Sequence, residues 1–188
     1  MLDEKKIDES SRIIRQLISA ELIVKPKQGT DKFFMDKSLN SLEITKHLQE
    51  LSAEKGINTN MWMINTAYYS MFFAATALLA KYGHKINSET GIHKLTYHAL
   101  IHYFIKEESR LKRKLAEEYS SVVEDAEELL QIGEHKLKEL VINLDYEQDK
   151  RKIFTYEMGQ IAEKQKAETS YNRAKEFVAE VMKLLSSR

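Results

Sequence analysis

From Met61 to Tyr82 the chain sets Met61, Ile64, Tyr68, Met71, Phe72, Ala75, Leu79 and Tyr82 at steps of three and four. That spacing collects side chains on one side of an α-helix. Between Met71 and Leu79 the polar side is almost missing, so this helix has little to offer water and belongs at the centre of a bundle. Thr59 or Asn60 is placed to cap its start and Gly83 to end it.

A central helix needs amphipathic neighbours, and the rest of the chain supplies them. Only one proline, Pro26, and six glycines interrupt it, and strand-like alternation is hard to find. Ile7, Ile14, Leu17 and Ile18 predict a first helix ending near Pro26, after which residues 25–37 read as a loop. Ser38 or Asn40 is then expected to cap a second helix, with Leu42, Leu48 and Leu51 on one face and Gly56 as its stop. A fourth helix is predicted over residues 92–107 and a fifth over 109–132, followed by a break through Gly133 and residues 134–150. Ala174, Phe177, Val178, Val181, Leu184 and Leu185 mark a last helix. The expected fold is all-α: an antiparallel up-and-down bundle of four or five helices over residues 59–188. Residues 1–58 form an N-terminal helical extension packed on it, within one folded unit.

Composition narrows the function. Hydrophobic residues make up 43% of the 188 positions and charged residues 31%, the balance of a folded protein. Lys plus Arg and Asp plus Glu both number 29, which argues against a chain whose main business is non-specific nucleic-acid binding. With no cysteine, disulfides, thiolate nucleophiles and Cys-ligated zinc are excluded. The N-terminal MLDEKKIDES lacks the apolar core of a secretory signal, and the longest apolar run, Met71 to Ala80, is too short for a bilayer. A cytoplasmic protein is the expectation.

Three groups of side chains are candidates for chemistry. Arg110, Lys112, Arg113 and Lys114 form the densest basic cluster, suited to phosphate or an RNA backbone. The plain alternative is a solvated helix start, because Glu107, Glu108, Glu117 and Glu118 flank the cluster. His98 and His102 lie four apart and share a helix face, yet no Glu-x-x-His pair accompanies them. They read as surface or interface histidines, although His102 also stands with Leu95, Ala99, Ile101 and Ile105 among the positions of the fourth helix available for burial; no metal and no cofactor is expected. Of Tyr68 and Tyr69, one is expected in the core and one on a groove or a partner; Asn65 reads as a satisfied amide.

The stretch Asn65-Thr-Ala-Tyr-Tyr-Ser-Met-Phe-Phe-Ala-Ala-Thr-Ala-Leu-Leu, followed by Tyr82-Gly83-His84-Lys85, resembles the signature helix of the HEPN family. Ser88-Glu-Thr-Gly-Ile-His-Lys is similar to the loop that follows it there, and Ala174-Lys-Glu-Phe-Val to the family's C-terminal ending. The resemblance covers residues 59–185. It implies a small helical homodimer. Many members are metal-independent endoribonucleases, often paired with a nucleotidyltransferase as toxin and antitoxin. Others are inactive binding modules.

Active members carry Arg-x4–6-His, the Arg to stabilise phosphate charge and the His to move a proton. Here Arg151 is followed after four residues by Tyr156, and no histidine occurs beyond His135. A tyrosine titrates near pH ~10 against ~6.5 for histidine, so it is a poor general base at neutral pH. Its hydroxyl still serves as a hydrogen-bond or proton donor. Two readings follow from the resemblance. In one, Arg151 and Tyr156 are the catalytic pair of an RNA- or nucleotide-directed protein. In the other, the chain is a silent dimeric module that binds a nucleotidyltransferase partner or a nucleotide.

Overall fold

Asn60–Lys81 forms the helix around which everything else is arranged, α3 in chain order. Ala67, Ala74, Ala75 and Ala77 are fully buried along it, and their small side chains let neighbouring helices come close. Met71 and Leu78 fill the spaces between, with no exposure at all. By length and apolarity the whole of α3 matches a membrane span, beyond what its Met71–Ala80 run suggested. Yet 72% of that stretch is buried inside the fold, so its apolarity is used by the core.

The computed structural model describes residues 2–88, 90–107, 111–126 and 164–186. Before α3 come α1 (Glu4–Ser19), a two-residue strand β1 (Ile23–Val24) and α2 (Thr30–Lys55). After it come β2 (Lys85–Ile86), α4 (Ile92–Leu100) and a π-helical continuation, Ile101–Glu107. The helices α5, over 113–126, and α6 (Lys164–Ser186) complete the described elements. The described residues are predominantly helical, with one small antiparallel ladder pairing Ile23 with Ile86 and Val24 with Lys85. Asn87 N–H extends the ladder, donating to the Leu22 carbonyl at 2.8 Å.

Residues expected to form a loop before Lys37 are helical instead. Gly29 stands at the N-cap of α2 with φ +80°, a left-handed conformation that glycine adopts without strain, and no side chain caps the helix. The expected cap, Ser38, lies two turns inside α2, where it is fully buried and donates to the Ser70 carbonyl of α3 at 2.8 Å. Gly56 ends α2 as expected, at φ +64°, its N–H reaching the Ser52 carbonyl at 3.1 Å.

Helices α2 and α3 run antiparallel. Thr59 donates to the Leu48 carbonyl at 2.8 Å, Thr45 contacts Thr66 at 2.8 Å, and Phe34 stacks on Phe73. The last helix packs beside this pair. Its Phe177 is fully buried and stacks on Tyr119 of α5 with ring centroids 5.5 Å apart. The expected end of the last helix near Leu185 agrees with the observed Ser186.

Helix α1 packs against α4 and the π-helical segment. Asp3 caps it by accepting from Lys6 N–H at 2.9 Å, and Glu4 in the first turn suits the positive helix end. Ile7, Ser10, Ser11 and Ile14 share its buried side and face α4 and the π-helical segment. The start is tied to α5 twice, through Leu2 N–H to the Glu117 carboxylate and through Glu4 to Arg113.

Candidate functional site

Beside its buried face, α1 presents a polar one. Asp8, Arg12, Arg15, Gln16 and Ser19 recur at helical spacing along one edge, and with Ser11 from the buried side and Lys106 of the π-helical segment they line an open concavity of about 640 Å³. Lys106 Nζ lies 2.6 Å from Asp8 Oδ1. Its hydrogen bond, followed by its charge, holds the Asp8 carboxyl below the usual range. Among the described residues, no side chain makes a hydrogen bond or ion pair with the guanidinium of Arg12 or Arg15. Three cations and one carboxylate therefore line this concavity in a chain of zero formal net charge.

Two Ser–His contacts underlie it. Ser10 Oγ lies 3.0 Å from His98 Nδ1, and Ser11 Oγ 3.3 Å from His102 Nδ1. Both hydroxyls also approach carbonyls of their own helix, Lys6 at 2.8 Å and Ile7 at 3.0 Å. If Ser10 donates to Lys6, its oxygen accepts from His98 Nδ1–H, which leaves His98 Nε2 as a bare lone pair with no described partner. His102 Nε2 lies 3.2 Å from Glu107 Oε1. Burial lowers the pKa of both histidines. The charge of Lys94 adds to that at His98 and Glu9 opposes it; at His102 Glu107 opposes it and Arg15 and Lys106 add to it.

Ser11, His102 and Glu107 have the connectivity of a nucleophile, a base and an orienting acid. Ser11 is only 2% exposed, and it sits mid-helix beside its own Ile7 carbonyl. The chain of contacts is a latch holding α1 to the π-helical segment, not an attacking group.

The structure corrects the expected surface position of His98, while His102 takes the burial that its place on the fourth helix made available. At 8% and 3% exposure they are core residues, because the two serines of α1 supply polar partners that let imidazole enter the interior. The described residues contain no group of three His, Asp or Glu side chains able to hold a metal.

Arg151, Tyr156 and Arg110 lie outside the described residues. Of the remaining basic cluster, Lys112 is exposed, while Arg113 Nη2 meets Glu4 at 2.7 Å. Lys114 meets Glu118 at 3.2 Å and Glu176 at 3.8 Å, and the Glu118 hydrogen bond is the first cause of its raised pKa. Tyr68 is buried, the core member expected of the pair, Tyr69 is 42% exposed and Asn65 is half-buried. The groove along α1 was missed by reading motifs, although Asp8, Arg12, Arg15 and Ser19 already share one helix face in the sequence. Compared with protein-family models, curated proteins and solved structures, the chain finds no match in any of the three.

Proposed function

We propose that this chain is a cytoplasmic HEPN-like protein directed at RNA or a nucleotide, and that the α1 groove holds a phosphate of that ligand. The observation that carries this is the Arg12–Arg15 pair, two guanidiniums that make no hydrogen bond or ion pair among the described residues, beside Lys106. Guanidinium forks match phosphate oxygens two at a time, and counterion release adds to the affinity. Gln16 and Ser19 add polar groups at the rim. Support for the family reading comes from α3, whose Asn65–Leu79 stretch is the buried centre of the fold with Tyr69 at its surface.

The catalytic part of the proposal rests on Arg151 and Tyr156. Arg151 stabilises charge on the phosphate in the transition state, and the Tyr156 hydroxyl donates to a ribose or leaving-group oxygen. Without a histidine base the rate is expected to be low, since acid–base help is worth on the order of 10²- to 10⁴-fold. The missing histidine favours a second reading, a catalytically silent module for a nucleotidyltransferase partner in a toxin–antitoxin pair.

The test is incubation with mixed single-stranded and structured RNA in EDTA, beside Arg151→Ala and the double variant Arg12→Ala/Arg15→Ala. Binding that weakens in the double variant is expected, with its log–log salt slope reduced by roughly 0.7 per lost phosphate contact on single strands. Slow cleavage lost in Arg151→Ala establishes the ribonuclease. Binding without cleavage selects the silent module. Neither binding nor cleavage by the unaltered protein overturns the proposal.

A further inference from the structure

Helix α1 is joined to the rest of the fold differently from its neighbours. Helices α2, α3 and α6 pack on one another, whereas α1 meets α4 and the π-helical segment. Within α1 only two apolar side chains, Ile7 and Ile14, are buried, and Ser10 and Ser11 stand between them. Both serines end on imidazoles, Ser10 on His98 and Ser11 on His102. A helix held by so little apolar surface opens at a lower free energy than the core does. Its attachment therefore depends on those two polar contacts.

We propose that acid releases α1 from the bundle through His98, and that the groove carrying Arg12 and Arg15 is dismantled with it. Ser10 has one hydroxyl proton, directed at the Lys6 carbonyl 2.8 Å away. His98 Nδ1 then donates to Ser10 at 3.0 Å, and the lone pair on Nε2 completes a neutral ring. A second proton must go on Nε2, which is buried with no acceptor among the described residues. The attached helix thus strongly disfavours the imidazolium, while release opens the ring to water, where either form is accommodated.

The charges around the two rings decide which of them responds. At His98, burial and Lys94 of α4 outweigh Glu9 of α1, which favours the imidazolium. His102 differs, because Glu107 Oε1 stands 3.2 Å from its Nε2 and can accept from it, with Arg15 of α1 and Lys106 opposing the charge. It is the lesser contributor. Asp8 stays ionised, since Lys106 holds its carboxyl low, so the tie between these two is unchanged. Below pH 6.5 the released form gains on the attached one by up to about tenfold per pH unit through His98.

A cationic groove ordinarily holds RNA more tightly in acid, as the protein's positive charge rises. Here the sign reverses, because release parts Arg12 and Arg15 from Lys106 and the apparent affinity falls with the attached fraction. That consequence rests on the phosphate reading of the groove; the release of α1 does not.

Amide hydrogen exchange on the full chain, from about pH 7.5 to 5.5 and corrected for the intrinsic rate, reports α1 and α3 side by side. The expected result is α1 protection below that of α3 throughout, falling in acid by up to about tenfold per pH unit. His98→Gln keeps a hydrogen-bonding group but cannot titrate, and removes most of that fall. His47→Gln, at an exposed position on α2, leaves it. A labelled single-stranded RNA is expected to bind more weakly at the acid end. Three results overturn the release: α1 as protected as α3 at the acid end, α1 protection unchanged with pH, or a fall that His98→Gln retains. Should that variant not fold, the first two decide from the unaltered chain. RNA binding that tightens or holds steady in acid overturns the dismantling of the groove. No RNA binding at any pH overturns the phosphate reading alone, and exchange still decides the release.

Discussion

Ile14 and Ile18 are the same residue type one turn apart on α1, and they make a direct test of how that helix is held. Ile14 is 0% exposed, between α1 and the α4–π-helical surface, while Ile18 is 47% exposed near the helix end. Truncating a fully buried isoleucine removes its transfer free energy and leaves a cavity, about 2–5 kcal/mol in sum. Truncating Ile18 gives up only part of that transfer term, and alanine's better helix propensity returns a few tenths of a kcal/mol. Against a total stability of about 5–15 kcal/mol, the Ile14→Ala loss is large. At about 2–4 °C per kcal/mol for a chain of this size, a 3 kcal/mol loss lowers Tm by about 6–12 °C. Thermal and urea unfolding of Ile14→Ala and Ile18→Ala, side by side, read this out. Because α1 carries Arg12 and Arg15, Ile14→Ala is also expected to weaken RNA binding near its own Tm, and Ile18→Ala is not. Equal Tm values for the two variants would refute the packing of α1 described above.

Acid is expected to destabilise the fold through His98 and His102. Their folded pKa values lie below 6.5, so between there and pH 6.5 the unfolded chain binds more protons and stability falls as pH falls, by up to about 1.4 kcal/mol per pH unit per histidine. The stabilising term is fully present above pH 6.5, and urea unfolding from pH 7.5 to 5 checks it; a His98→Gln variant should show a shallower dependence. Ser38→Ala leaves the Ser70 carbonyl without its interhelical donor, and about 1–2 kcal/mol should be lost in urea unfolding. Gly56→Ala meets no steric contact but must hold φ +64°, so a loss of about 1–2 kcal/mol in the same assay is expected.

How much was legible follows from what each element depends on. Helix α3 could be read to within a residue at each end, because its periodic apolar run is a local feature; Thr59 stands at its N-cap without the expected cap bond, because its hydroxyl donates to the Leu48 carbonyl of α2. The span of the fourth helix was legible too, but not that its second half is π-helical, since hydrophobic spacing alone does not report the bonding pattern. The start of α2 was misread because Gly29 opens it through backbone conformation with no side-chain cap. A two-residue strand such as Ile23–Val24 shows no alternation to detect; its pairing with Ile86 and Lys85 is set by the helices on either side. His98 looked like a surface residue because its polar partner, Ser10, lies 88 positions earlier. For the groove, Arg12 and Arg15 are visible as a helical pair, but Lys106 enters only when the π-helical segment packs on α1.

The π-helical segment has a further consequence, for insertions and deletions. Its i→i+5 bonding places more residues in each turn than an α-helix holds, so Ile101–Glu107 carries surplus chain for the distance it covers. A one-residue deletion there has somewhere to go: the turn tightens to α-helical bonding and the chain on either side keeps its direction. The same deletion inside α3 has no such slack. It rotates every later side chain by about 100°, turning the alanine-lined faces away from α2 and α6. Tolerance of length change in this protein should therefore be concentrated in one of its most buried stretches, and not only in its loops.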